Sequence, residues 1–113
     1  MVYDVREQDG VTVLAPRGPI DVSRALELRD VLAPLVGEAG RRVLVDLSEV
    51  TLVDSSGIGI FVTAHRLAET CGASFALAGA QGPVGRVFEL TRTDKLLHIY
   101  AGVDEGLAAL RAG

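Results

Sequence analysis

The sequence predicts an α/β fold, with a mixed, mostly parallel sheet of about four to five strands and about four helices. Three observations carry this. Short runs of Val, Leu, Ile and Ala alternate with longer segments whose apolar residues recur at helical spacing. A tight-turn dipeptide, Asp9-Gly10, separates the first two runs. The chain has 113 residues, 49% apolar and 23% charged, which is the size and composition of a single globular domain over residues 1–113.

Each element has its own signal. Residues 2–7 and 11–17 alternate around Asp9-Gly10 and read as an opening hairpin. From Asp21 to Val36, Val22, Ala25, Leu28, Leu32 and Leu35 follow helical spacing, with Asp21 or Ser23 as N-cap and Gly37 beyond the end. Pro34 is expected to kink or shorten the last turn. Val43–Leu47 and Ala73–Ala78 have the apolar character of strands covered on both faces. Between them, Gly57–Cys71 is helical in period. A third helix starts at Pro83, whose missing N–H suits a first helical position, and carries Val84, Val87, Phe88 and Leu90 inward. Leu96–Tyr100 reads as the last strand and Val103–Leu110 as a terminal helix anchored by Leu107 and Leu110. Strands alternating with helices require right-handed crossovers and parallel neighbours.

Composition excludes several classes of function. Fifteen acidic against eleven basic residues give a net charge of −4, with no basic cluster longer than Arg41-Arg42, so no direct nucleic-acid partner is expected. A lone Cys71 can form neither an internal disulfide nor a zinc site, which fits a reducing, cytoplasmic setting. No apolar run approaches the ~20 residues needed to cross a bilayer, and the N-terminus has no leader-like apolar stretch, so no membrane role is expected.

The most informative stretch is Leu47-Ser-Glu-Val-Thr-Leu-Val-Asp54-Ser55-Ser56-Gly57-Ile58-Gly59-Ile60. Asp54, Ser55 and Ser56 can simply cap a helix by satisfying its first N–H groups. The same geometry also exposes a serine hydroxyl where a phosphate would meet free N–H groups and the positive end of the helix dipole. Nucleophilic catalysis is disfavoured. Val53 breaks the Gly-x-Ser-x-Gly elbow, and His65 lies ten positions down the helix, about 15 Å away at ~1.5 Å per residue. His65 and His98 read as a helix-surface residue and a residue near a sheet end rather than as metal ligands. Gly57-Ile-Gly59 lacks the third glycine of a dinucleotide fingerprint, and Gly79-Ala-Gln-Gly82 lacks the Gly-Lys-Ser/Thr ending of a phosphate loop. A phospho-accepting aspartate of the receiver type would need a paired lysine, and the only one, Lys95, precedes the last strand. No catalytic residue, metal site or cofactor is expected.

Laid out at 100° steps, Ile60, Phe61, Ala64, Leu67, Ala68 and Cys71 form one apolar face that would dock on the sheet. Ile58 and Val62 fall off it, beside His65, Arg66 and Glu69. They are expected to be exposed, either incidentally or as anchors for a partner protein near the serines.

The segment Val45-Asp-Leu-Ser-Glu-Val-Thr-Leu-Val-Asp-Ser-Ser-Gly-Ile-Gly resembles the signature of STAS domains, in particular of bacterial anti-sigma factor antagonists. Gly18-Pro-Ile-Asp21 is similar to the family's first loop, with Pro19 in place of a more usual polar residue, and Gly82-Pro-Val-Gly-Arg-Val-Phe88 to its later helix. The resemblance implies a STAS-like fold over nearly the whole chain. It implies phosphorylation of Ser55 by an anti-sigma factor that is also a serine protein kinase, reversal by a PP2C-type phosphatase, and release of a sigma factor when the unphosphorylated form binds the kinase. Partner contacts are then expected at Asp21, Asp54, Ser56, Gly57, Ile58, Gly59 and Val62. Other uses of the same fold remain open: a docking subunit of a lipid-transport complex, a stressosome-like scaffold, or, in another class, a small nucleotide-binding enzyme.

Overall fold

The computed structural model describes residues 1–112. The chain runs β1 (Val2–Gln8), β2 (Val11–Ile20), α1 (Val22–Val36), β3 (Arg42–Asp46), β4 (Val50–Val53), α2 (Ser55–Cys71), β5 (Ser74–Ala78), α3 (Pro83–Leu90), a short 3-10 turn (Thr93–Lys95), β6 (Ile99–Tyr100) and α4 (Val103–Ala112). The expected α/β class is the observed one. The sheet order is β1-β2-β3-β5-β6, antiparallel only between β1 and β2, and β4 adds a sixth strand alongside the far half of β2.

β2 is the organising strand because it serves two neighbours in succession. Its first half pairs with β3 through Thr12↔Val43, Val13↔Leu44 and Leu14↔Val45. At Gly18, where φ is +81°, the register shifts, and the second half pairs with β4 through Pro19↔Leu52 and Ile20↔Val53. Glycine takes this left-handed conformation without the strain another residue would carry, and the strand changes partner there.

The sheet alternates as a two-faced layer. Leu14, Val43, Val45, Phe75 and Leu77 point to a core shared with α1, α2 and α3. Val11, Val13, Leu44, Ala76 and Ala78 point the other way, where Leu107 and Leu110 of α4 cover them.

Several sequence expectations need correction. β4 was not expected; its four residues are too few to show a period, and its pairing is long-range. The last strand is only Ile99–Tyr100, since the turn begun by the 3-10 segment continues past it, with the Leu96 and Leu97 N–H groups both donating to the Thr93 carbonyl, at 3.0 and 2.8 Å. Leu90 is 69% exposed at the end of α3, and Val22 is 70% exposed at the start of α1. Pro34 does not shorten α1, which runs to Val36 and is closed by the Gly37 N–H on the Ala33 carbonyl at 3.0 Å.

Candidate functional site at two helix entrances

The parallel pairing of β2 with β4 ends at Ile20↔Val53, so the next residue of each strand, Asp21 and Asp54, stands side by side with the other. Each opens a helix. The Asp54 N–H donates to the Ile20 carbonyl at 3.2 Å and stitches the two entrances together. Both N-termini therefore emerge at the same edge of the molecule, with their positive dipole ends adjacent.

Asp54 is the N-cap of α2. Its Oδ1 accepts from the Ser56 N–H at 2.9 Å and the Gly57 N–H at 3.2 Å, which satisfies two otherwise unpaired donors of the first turn. Asp21 caps α1 in the same way. Its Oδ1 accepts from the Ser23 N–H at 3.1 Å and the Ser23 hydroxyl at 2.6 Å, and Arg24 reaches Oδ2 at 3.5 Å. The Ser23 hydroxyl, above all, holds the Asp21 carboxyl below its ordinary value of 3.8, and the Arg24 charge adds to this. Of the two candidate caps for α1, Asp21 is the one used.

Ser55 is the first residue of α2 and is exposed, whereas Ser56 is partly covered. Ser55 is thus held in place by the cap before it while contributing nothing to the core. Its neighbours divide into a support and a surface. Gly57 is buried against β2 and β4: a Cβ there would lie 2.9 Å from Ile20 Cγ2 and 3.0 Å from Val53 Cγ1. Ile58 is 6% exposed and belongs to the main core, which corrects its expected exposure, and Val62 is half-buried against the same core. On the outer side, one helical turn apart, stand Ser55 and exposed Gly59, with open space above Gly59.

The buried stripe of α2 is Gly57, Ile58, Phe61, Ala64, His65 and Ala68. This face is rotated by about 60° from the one inferred from hydropathy, at 100° per residue. α2 lies on the sheet beside α1, on whose side Ile60 and Leu67 are only half-buried, whereas its opposite flank carries Ile58 into the core shared with α3 and His65 against His98. The rotation also buries His65, expected on the surface. Its ring packs edge-on to His98 with centroids 5.6 Å apart, and its Nε2 lies 3.3 Å from Glu69 Oε1. His98, exposed, precedes β6, and its ring contact places it beside His65, ten positions and about 15 Å down α2 from Ser55. Among the described residues, no group of three His, Cys, Asp or Glu side chains is placed to hold a metal ion.

Two exposed apolar residues near the entrances escaped the sequence reading. Leu52 on β4 is 48% exposed, opposite Pro19, and Val22 follows Asp21. Helical spacing by itself points Val22 inward, and Leu52 has a defined face only through its place on β4. Among the described residues no helix is long and apolar enough to cross a membrane.

Comparison with known proteins gives this site a context. The anti-sigma-B factor antagonist of Staphylococcus aureus is 31% identical over 87 residues, 77% of this chain and 81% of that protein. The structure of an anti-sigma factor antagonist from Mycobacterium paratuberculosis matches with a TM-score of 0.88 at 26% identity, over 97% of this chain and 93% of that one. At 16% identity the fold is shared with SpoIIAA of Bacillus in its unphosphorylated form, TM-score 0.80 over 99% of this chain and 98% of that one, and in its phosphorylated form, TM-score 0.71 over 97% and 100%. The sequence itself matches the STAS domain over residues 3–106, and with nearly its whole length so matched the chain belongs to the STAS domain family.

Proposed function

We propose that this protein is an anti-sigma factor antagonist whose unphosphorylated form binds an anti-sigma factor and thereby frees a sigma factor, and that phosphorylation of Ser55 switches this binding off. The observation that carries the reading is the placement of Ser55: exposed, at the first position of a capped helix, beside a second helix entrance and next to the carboxylates of Asp21 and Asp54. The curated relatives named as antagonists, and a shared fold known in unphosphorylated and phosphorylated forms, support it. The partners would be the anti-sigma factor, acting as the serine kinase, and a PP2C-type phosphatase.

The contacts divide by accessibility. Ser55, Gly59, Asp21 and the flanking Val22 and Leu52 would meet the partner, with Val62 at the margin. Asp54 and Ser56 set the helix entrance. Gly57 and Ile58 act from beneath, by fixing how far α2 projects from the sheet.

A phosphate on Ser55 adds about −1.5 to −2 charges at neutral pH. Within the fold this is favourable, because it sits at the positive end of α2. Against a partner it must be desolvated beside two carboxylates, and like-charge juxtaposition in an interface costs several kcal/mol. A penalty of ~3 kcal/mol lowers affinity about a hundredfold, enough for a switch without refolding.

The test is to incubate the protein with a candidate anti-sigma kinase and ATP and to map the product by mass spectrometry. A single added phosphate on the Asp54–Gly57 peptide, absent in Ser55→Ala, is expected. A phosphate on Ser56 or Thr51 instead, or a Ser55→Ala variant modified as well as the wild type, would overturn the assignment.

A further inference from the structure

The sheet ends on β1, which lies at the edge of the strand order and has only β2 beside it. Natural edge strands are commonly short, bulged, covered or guarded by charged side chains, and of these devices β1 has the charges, Asp4, Arg6 and Glu7. β1 otherwise pairs without a break over seven residues, and Val2, Tyr3 and Val5 are all at least 40% exposed.

The hairpin turn determines which backbone groups face outward. Asp9 and Gly10 have φ of +54° and +79°, the signature of a two-residue turn that closes on the pair Gln8↔Val11. Antiparallel pairs alternate, so Gln8, Arg6, Asp4 and Val2 exchange hydrogen bonds with β2. Tyr3, Val5 and Glu7 then direct N–H and C=O away from the sheet.

We propose that β1 pairs antiparallel with β1 of a second copy of this chain, in the register that sets Val5 opposite Val5, so that two sheets join into one. The proposal is independent of the role of Ser55. Charge selects the register. With Val5 at the two-fold axis, Asp4 of each copy faces Arg6 of the other, twice, while Tyr3 faces Glu7 and Val2 faces Gln8. A shift of one residue toward the start of the strand sets Asp4 opposite Asp4; a shift of one the other way sets Arg6 opposite Arg6. Like charges directly opposed are destabilising and opposite ones favourable. The Val5-centred pairing uses the outward row of both strands, with two hydrogen bonds at Val5↔Val5 and two at each Tyr3↔Glu7. In the free chain Asp4 holds Arg17, and Arg6 Nε donates to Gln8 Oε1 at 3.0 Å, so both side chains already lie along the hairpin rather than extending into solvent.

A single strand pair is a small interface, so the dimer should form with rising concentration, over a range of about 10 μM to about 1 mM. Sedimentation velocity on the wild type across that range should show monomer giving way to dimer. Amide exchange should slow at Tyr3, Val5 and Glu7 as concentration rises. Val5→Pro removes one outward N–H and should abolish the dimer. The decisive experiment is a charge swap. Asp4→Arg alone and Arg6→Asp alone should each be monomeric, while their equimolar mixture should dimerise at least tenfold more readily than either, since one copy then carries two positive and the other two negative charges at these positions. A wild type that stays monomeric throughout, a dimer unchanged by Val5→Pro and Arg6→Asp, or a mixture no better than its components would overturn the proposal.

Discussion

Asp54 accepts from two backbone N–H groups of the first turn of α2, and no other side chain is shown to take that role. Asp54→Ala should therefore lower stability by about 0.5–2 kcal/mol, whereas Asp54→Asn, which keeps the acceptor, should cost little. The midpoint of urea unfolding, with an unchanged slope, is the measurement that separates them. Asp21 adds a pH dependence. Its carboxyl titrates below its ordinary value because the charged form accepts from Ser23 and faces Arg24. A depressed folded value contributes stability that is fully present above the unfolded value and is lost as pH falls through the folded one. Melting the wild type against Asp21→Asn should show a constant difference from neutral pH down to about pH 5, near the onset of carboxylate titration, and then a narrowing one. A difference that stayed flat to pH 2.5, on the order of a unit below the usual Asp range, would remove Asp21 from the account. Both caps were legible only as short sets, Asp21 or Ser23 for one helix and Asp54, Ser55 or Ser56 for the other, because an Asp and a nearby Ser can each accept from a first-turn N–H. His65 was not, because a histidine among Arg66 and Glu69 reads as surface until the direction from which α2 is covered is known.

The element scale turns on two glycines of α2 that the sequence presents as a pair. Gly57→Ala gains up to about 1 kcal/mol of helix propensity, but its Cβ must push into branched Ile20 and Val53, at 2.9 and 3.0 Å, with the Ile20 carbonyl at 3.2 Å. Overpacking of this kind costs about 1–3 kcal/mol, so the net effect should be destabilising. Gly59→Ala meets nothing within 4 Å and should stabilise by up to about 1 kcal/mol. The same substitution two residues apart should thus move the thermal midpoint in opposite directions; two shifts of the same sign would mean that α2 does not sit so close to β2 and β4. Sequence alone could not have told these glycines apart. Their difference comes from β4, whose Val50-Thr-Leu-Val is too short for a periodic signal and whose partner lies some thirty positions back on β2. That pairing also backs the start of α2 at Gly57, and the next residue, Ile58, enters the core shared with α3, although the hydropathy of the helix by itself points the apolar face toward Ile60 and Leu67. The longer apolar runs, β3 and β5, were readable because both of their faces are covered and their composition says so directly.

For the molecule as a whole, the arrangement predicts that stability and partner binding respond in opposite directions to the same charge. Ser55 lies outside both apolar clusters, so a negative group there disturbs no packing. It stands at the first position of α2, the positive end of the helix, where a carboxylate or phosphate is stabilised by about 0.3–1 kcal/mol. For a domain of this size, 1 kcal/mol moves the melting midpoint by roughly 4 °C or more, so Ser55→Asp should melt at the wild-type temperature or a few degrees above it. The nearby carboxylates of Asp21 and Asp54 trim this gain; they do not reverse it, because Asp54 is engaged with Ser56 and Gly57 and Asp21 with Ser23 and Arg24. Binding to the anti-sigma factor should nevertheless fall about a hundredfold, through desolvation and like-charge contact at the interface. The pair of measurements distinguishes mechanisms that binding alone leaves confounded. If phosphorylation acted by loosening the entrance of α2, the midpoint would fall together with affinity, and salt would restore neither. If it acts by local repulsion, the midpoint holds, affinity drops, and raising ionic strength recovers part of the lost affinity by screening charges that are exposed at the rim. A Ser55→Asp variant that melts several degrees lower and binds weakly at every salt concentration would assign the switch to a change of structure rather than of surface charge.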